Sequence, residues 1–109
     1  MITDKTIEGI YSRLGGDSDL ADILQLFVEE MPSRVEKLLR HLNDGNWEEL
    51  RRTAHQLKGA AGSYGFEQLS PSANKVEHAI RENEPEEQIR ESVMELIDLC
   101  GRVRCGLPK

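Results

Sequence analysis

The sequence has little cysteine, few aromatic residues and no excess of positive charge, and each shortage excludes a class of function. Its two cysteines, Cys100 and Cys105, form no CxxC pair, so neither a disulfide framework nor a cysteine-based zinc site is expected. We expect Cys100 to pack as an apolar residue on a helix and Cys105 to be a loop thiol. Aromatic residues make up 5% of the chain and the formal net charge is -6, so nucleic-acid binding has no support from stacking or electrostatics.

Long apolar runs are absent as well. No run approaches the roughly 20 residues needed to span a bilayer, and the segment from Met1 to Lys5 lacks the basic and apolar parts of a signal peptide. We therefore expect a cytoplasmic protein with no membrane association, and the start at Met1 favours a free-standing chain. The 109 residues fit one domain over 1–109, stabilised by a packed helical core.

Apolar residues recur at helical spacing through almost the whole chain, between breaks rich in Gly, Asn and Pro. A short first helix is predicted from Ile7 to Leu14, and a second, capped by Asp17 or Ser18, continues through Pro32 with a kink. The predicted apolar faces of the four long helices are Leu20, Leu24, Phe27, Met31, Val35, Leu38 and Leu42; Trp47, Leu50, Ala54, Leu57, Ala61 and Tyr64; Leu69, Ala73, Val76 and Ile80; and Ile89, Val93, Leu96, Cys100 and Val103.

The helix boundaries carry local signals too. Asn46 is suited to cap the third helix, Pro71 is tolerable only in the first turn of the fourth, and Pro85 opens the fifth. No segment alternates with period two, so no strands are expected. Short connections make neighbouring helices antiparallel. We therefore predict an all-α fold, an antiparallel up-down four-helix bundle with the short N-terminal helix laid across it.

His55 differs from the other two histidines, His41 and His78, in its surroundings. On a helical wheel it lies about 130° from the centre of the buried face, so its imidazole faces solvent. Gly59 and Gly62, four and seven residues later, lie on the same side of the helix. A glycine inside a helix costs about 1 kcal/mol relative to alanine. The glycines could mark the helix end or relieve crowding, but together they favour a surface kept bare for another macromolecule.

A carboxylate partner for this imidazole can be located by counting. If the turn between the third and fourth helices centres near Gly65 and Phe66, the residue level with His55 lies near positions 75–77, and Glu77 could reach one ring nitrogen. A carboxylate that accepts from Nδ1–H would leave Nε2 as the nucleophile. Glu77 could instead be an ordinary solvated acid on the helix surface.

Other chemistry finds weaker support. For Ser63 and Ser70 the sequence shows no general base at a spacing that would place it beside the hydroxyl, and no GxSxG motif occurs. No Walker lysine loop or glycine-rich cradle is present, so ATP binding by either route is not expected. A metal site that combines His55, Glu77 and His78 is conceivable, but HExxH spacing is absent and no metal is predicted.

The segment Ala54–Phe66, which reads AHQLKGAAGSYGF, resembles the signature of histidine-containing phosphotransfer (HPt) domains. The resemblance extends downstream through Leu69, Ala73, Val76 and Glu77. Upstream it includes the segments 27–32 and 42–50, and in all it covers roughly residues 17 to 82. It implies a phosphorelay intermediate of two-component signalling rather than an enzyme, without autokinase activity. By this resemblance His55 is the phosphoacceptor.

The resemblance also implies roles and partners. Lys58 would soften the charge of the phosphoryl group, Gly59 and Gly62 would clear room for the partner, and some relatives have Glu or Gln at the position of Glu77. The partners would be a response-regulator receiver domain and a hybrid sensor histidine kinase, with no nucleic acid and with the chain a monomer. No cofactor is implied, since the Mg²⁺ would be held by the receiver.

Arg51 and Arg52 form a positive cluster with Lys58 that suits docking against an acidic receiver site. Ordinary salt bridges with Glu48 and other acids explain the two arginines nearly as well. Two other classes remain open at this point: a non-catalytic helical docking module, and a metal-assisted hydrolase that uses the same histidine.

Overall fold

The computed structural model describes residues 8–108, and within that range four α-helices pack together. In chain order the elements are β1 (Ile10–Tyr11), a 3₁₀ turn (Ser18–Leu20), α1 (Ala21–Asn43), α2 (Trp47–Ser63), α3 (Leu69–Arg81), α4 (Glu86–Cys100) and β2 (Val103–Arg104). The prediction of a mostly helical protein with four long helices is confirmed. The predicted second to fifth helices correspond to α1 to α4.

The predicted N-terminal helix and the predicted absence of strands are both wrong for the described residues. Ile10 and Tyr11 form a short parallel pair with Val103 and Arg104, while Ile7 lies outside the described residues. The segment between Gly9 and the glycine pair at 15–16 is too short to form a stable helix, because the first helical turn is unfavourable and few residues follow to extend it. The segment instead forms a strand followed by a turn. In this strand Ile10 is buried, as is its partner Val103.

Most helix boundaries follow the local signals. The predicted cap of the second helix is wrong, because α1 begins at Ala21 without a side-chain cap and Asp17 caps the preceding 3₁₀ turn. α1 runs unbroken through Pro32, and Asn46 caps α2 by accepting from the backbone N–H of Glu49 at 3.4 Å. Pro71 lies in the first turn of α3, and Pro85 immediately precedes α4. Val103 does not belong to the last helix, because α4 ends at Cys100 and the chain then enters β2.

The core follows the predicted apolar faces of the helices. Leu38, Leu50 and Leu96 are completely buried, whereas Trp47 and Tyr64 are only partly buried at the ends of α2. Cys100 and Cys105 are both free; Cys100 is buried and Cys105 is exposed, as predicted. Burial raises the pKa of the Cys100 thiol to about 12, so this side chain packs as a neutral group.

The N-terminal segment also fastens the turn between α2 and α3. The Ser12 hydroxyl donates to the carbonyl of Tyr64 at 2.5 Å, and the backbone N–H of Arg13 donates to the carbonyl of Gly65 at 2.9 Å. Gly65 has a φ of 81°, a left-handed conformation that favours glycine. This turn sets which residues of α2 and α3 face each other.

Candidate functional site

His55 and Glu77 meet across α2 and α3. The His55 side chain is 63% exposed, and its Nδ1 lies 3.0 Å from Oε2 of Glu77. Because a carboxylate can only accept, Nδ1 must carry the ring proton, and the neutral imidazole keeps its lone pair on Nε2. The predicted contact is therefore present, and it leaves a nucleophilic nitrogen on an exposed ring.

Glu77 itself is buried, with a side chain only 1% exposed. Its carboxylate forms ion pairs with Lys58 Nζ, 2.8 Å from Oε1, and with Arg81 Nη2, 3.4 Å from Oε2. Burial acts to raise the pKa of Glu77, but the contacts with Lys58 and His55 outweigh it and hold this pKa below its usual value. Glu77 is thus a buried, charge-paired carboxylate and not a solvated surface acid.

Lys58 is held in place by α3. Besides its ion pair with Glu77, its Nζ donates to Oδ1 of Asn74 at 3.2 Å. Its backbone carbonyl accepts from the hydroxyl of Ser70, also at 3.2 Å. The cation therefore lies on the carboxylate that orients His55, one helical turn further along α2.

The two glycines after His55 differ in their surroundings. A Cβ atom added at Gly59 would meet nothing within 4 Å, whereas one at Gly62 would make an ordinary contact with the Ser70 hydroxyl at 3.7 Å. Crowding within the domain therefore does not require Gly59. The surface beside the imidazole is open at this position.

Arg51 and Arg52 form local ion pairs on α2. Arg51 lies 2.7 Å from the Glu48 carboxylate, and Arg52 lies 3.3 Å from that of Glu49. The hydrogen bond to Glu48 raises the pKa of Arg51. Both arginines therefore form the local salt bridges that the sequence analysis gave as the alternative to docking. Their role in docking stays a prediction.

Two residues at this site were missed by the sequence argument. Arg81 lies four residues after Glu77 on α3, a spacing that brings opposite charges together on a helix. Asn74 lies three residues before Glu77, just as Lys58 lies three residues after His55. Extending the register from the His55–Glu77 pair by one turn would have found Asn74.

Residues 8–108 contain neither a cluster of metal-ligating side chains nor a helix suited to span a membrane. Within residues 8–108, no three His, Cys, Asp or Glu side chains are grouped closely enough to hold a metal ion. No helix in this part of the chain has the length and apolar character required to cross a bilayer.

The comparisons with known proteins assign a family. The family model described as the Hpt domain matches residues 22–104, well over half of the chain. Searches of curated proteins and of solved structures found no match. The chain belongs to the Hpt domain family, which implies a phosphotransfer-related role in two-component signalling.

Proposed function

We propose that this domain is a phosphorelay intermediate that carries a phosphoryl group on Nε2 of His55. One observation supports this most directly: the exposed imidazole donates Nδ1–H to the buried carboxylate of Glu77 at 3.0 Å. The contact orients the ring on a packed helix and selects Nε2 as the nucleophile. Positioning is the main contribution a protein makes to phosphoryl transfer.

In the proposed reaction the Nε2 lone pair attacks the phosphorus of an aspartyl phosphate on a receiver domain. The P–O bond breaks, and its electron pair remains on the receiver's aspartate. The imidazole gains positive charge as the P–N bond forms, and the Glu77 carboxylate stabilises that charge. Reversal of these steps on a second receiver passes the phosphoryl group onward. The receiver supplies Mg²⁺, and this chain needs no cofactor of its own.

The neighbouring residues have supporting roles in this proposal. Lys58 stabilises the phosphoryl group electrostatically from its place beside Glu77, and Gly59 and Gly62 leave room for the receiver. Arg51 and Arg52 steer the acidic face of the receiver toward the site. The receivers include that of a hybrid sensor histidine kinase, and the chain acts as a cytoplasmic monomer.

We also propose the antiparallel up-down arrangement for the four helices, with 1–109 as one Hpt domain. The contacts between α2 and α3 support it, since His55 pairs with Glu77 while Lys58, later in α2, pairs with the earlier Asn74. The phosphoryl group comes from a receiver and not from ATP, so the chain has no autokinase activity.

The test is incubation with a receiver that has been phosphorylated on its aspartate. We expect acid-labile label on the wild-type chain and none on His55→Gln, with the helical circular-dichroism spectrum unchanged. ATP alone should label neither chain. Label that persists at His41 or His78 would refute His55 as the acceptor, and receiver binding without transfer would identify a docking module.

A further inference from the structure

Arg81 lies against the same carboxylate oxygen that holds the imidazole. Oε2 of Glu77 is 3.0 Å from Nδ1 of His55 and 3.4 Å from Nη2 of Arg81. A guanidinium is charged at every accessible pH, so its effect on this oxygen is permanent. The proposed reaction assigns no role to this contact.

The charges that surround the Glu77 carboxylate come from both helices that form the site. Lys58 lies 2.8 Å from Oε1 on one side, and Arg81 contacts Oε2 on the other. Arg51 contributes a weaker attraction from α2 while it is paired with Glu48. Each cation lowers the negative potential of the carboxylate, and Arg81 does so at the atom that accepts the imidazole proton.

That proton controls how readily a phosphorylated imidazole loses its phosphoryl group. When water attacks the phosphorus, the P–N bond breaks and its electron pair returns to Nε2. If Nδ1 carries a proton, the ring leaves as neutral imidazole and inorganic phosphate is released, whereas an unprotonated ring would have to leave as an anion. A carboxylate that keeps the proton on Nδ1 therefore promotes loss of the phosphoryl group to water. A cation beside that carboxylate weakens this effect and so slows the loss.

We infer that Arg81 is a positioning residue that prolongs the lifetime of phosphorylated His55 by weakening the hold of Glu77 on the Nδ1 proton. The inference rests on the proposed function, because it concerns the phosphorylated form of the same histidine. It adds a separate property, the rate at which the stored phosphoryl group is lost to water.

The experiment uses phosphoramidate as donor, so that it needs no receiver. In that reaction Nε2 attacks the phosphorus, the P–N bond of phosphoramidate breaks, and ammonia leaves. Phosphorylated Arg81→Gln, Arg81→Lys and wild-type chains are then followed by ³¹P NMR and site-resolved mass spectrometry between pH 5 and 9. Arg90→Gln is the matched control, since Arg90 forms an i,i+4 pair with Glu86 at 3.6 Å and is similarly exposed.

We expect Arg81→Gln to shorten the half-life of phosphorylated His55 at neutral pH by roughly two- to fivefold, the rate equivalent of one half-exposed ion pair. Its pH profile for hydrolysis should move to higher pH and meet that of the wild type in acid, where both rings are protonated. Arg81→Lys should restore most of the lifetime. Arg90→Gln, and any phosphoryl group on His41, should decay as in the wild type.

An unchanged half-life in Arg81→Gln would overturn the inference. So would a half-life shortened equally at every pH, which would place Arg81 on the phosphoryl group instead of on Glu77. A His55 that takes no phosphoryl group from phosphoramidate would overturn it as well. Failure of the proposed function looks different: His55 is phosphorylated chemically and Arg81 has its expected effect, but no receiver exchanges the group.

Discussion

The open space over Gly59 separates folding from the proposed function at a single residue. Neither a side chain nor backbone outside its own helix comes within 4 Å of a Cβ built there. The packing of the domain therefore does not require glycine here, although a glycine inside α2 lowers the stability of the helix. This cost has an explanation if the surface beside His55 must carry no side chain so that a partner can reach the imidazole.

Replacement of Gly59 by Gln should therefore stabilise the domain and impair transfer. We expect the free energy of unfolding to rise by about 0.5–1 kcal/mol because Gln has the better helix propensity. The rate of transfer from a phosphorylated receiver should fall steeply because the new side chain stands beside the imidazole. Urea unfolding and transfer rates on one purified variant measure both effects.

Gly59→Ala provides the graded control for this prediction. It should be at least as stable as the Gln variant, since alanine has the best helix propensity, and should lose much less transfer because its side chain is short. A Gln variant that is less stable than wild type, or that transfers at the normal rate, would contradict the open-surface explanation.

At the scale of elements, the turn between α2 and α3 depends on a glycine that the N-terminal segment covers. Gly65 has a φ of 81°, and a Cβ there would lie 2.5 Å from the Ser12 hydroxyl oxygen and 3.1 Å from the backbone nitrogen of Arg13. Both the backbone conformation and the close approach exclude a side chain. The register of α2 against α3, and so the His55–Glu77 contact, follows from this turn.

Gly65→Ala should destabilise the domain by at least about 1–2 kcal/mol, the cost of a left-handed conformation in a residue with a side chain. The clash with Ser12 adds to this loss. Gly16→Ala is the control in the neighbouring turn, because its Cβ would make only an ordinary contact with Leu107 at 3.7 Å. Urea unfolding of the two variants should show a clear loss in the first only, and equal stabilities would refute the role assigned to Gly65.

For the molecule as a whole, Glu77 links the site to global stability. Its carboxylate is buried and charge-paired, and its pKa in the folded chain lies below its ordinary value of 4.5. A group whose pKa falls on folding stabilises the folded state while it is ionised. That contribution is complete above pH 4.5 and is lost as the pH falls through the lower folded pKa.

Glu77→Gln should therefore be less stable than wild type at neutral pH, and the difference should shrink as the solution is acidified below pH 4.5. The measurement is the free energy of unfolding in urea between pH 3 and 7 for both chains. Glu67→Gln is the control, because the Glu67 side chain is 58% exposed and its ion pair with Arg13 lies at the surface. If the difference in the free energy of unfolding between Glu77→Gln and wild type did not change with pH, Glu77 would stabilise the fold through packing and not through its charge.

The contrast between Glu77 and Arg81 shows how far sequence reasoning reaches at this site. Glu77 could be located because two helices joined by a short turn have a countable register. Arg81 could not be singled out, because the same Glu–Arg spacing recurs at 30 and 34, 36 and 40, and 86 and 90, where the pairs lie on the surface. The burial of the glutamate distinguishes the pair at the site from the others.

The sequence by itself determined the positions of the four long helices and the exposed face of His55, because helical period, caps and breaks are properties of neighbouring residues. The tertiary structure alone decided the pairing of Ile10 with Val103, the burial of Glu77, and the contacts of Lys58 and Arg81 with its carboxylate. These depend on contacts between residues far apart in the chain, whose burial and charge pairing no local pattern specifies.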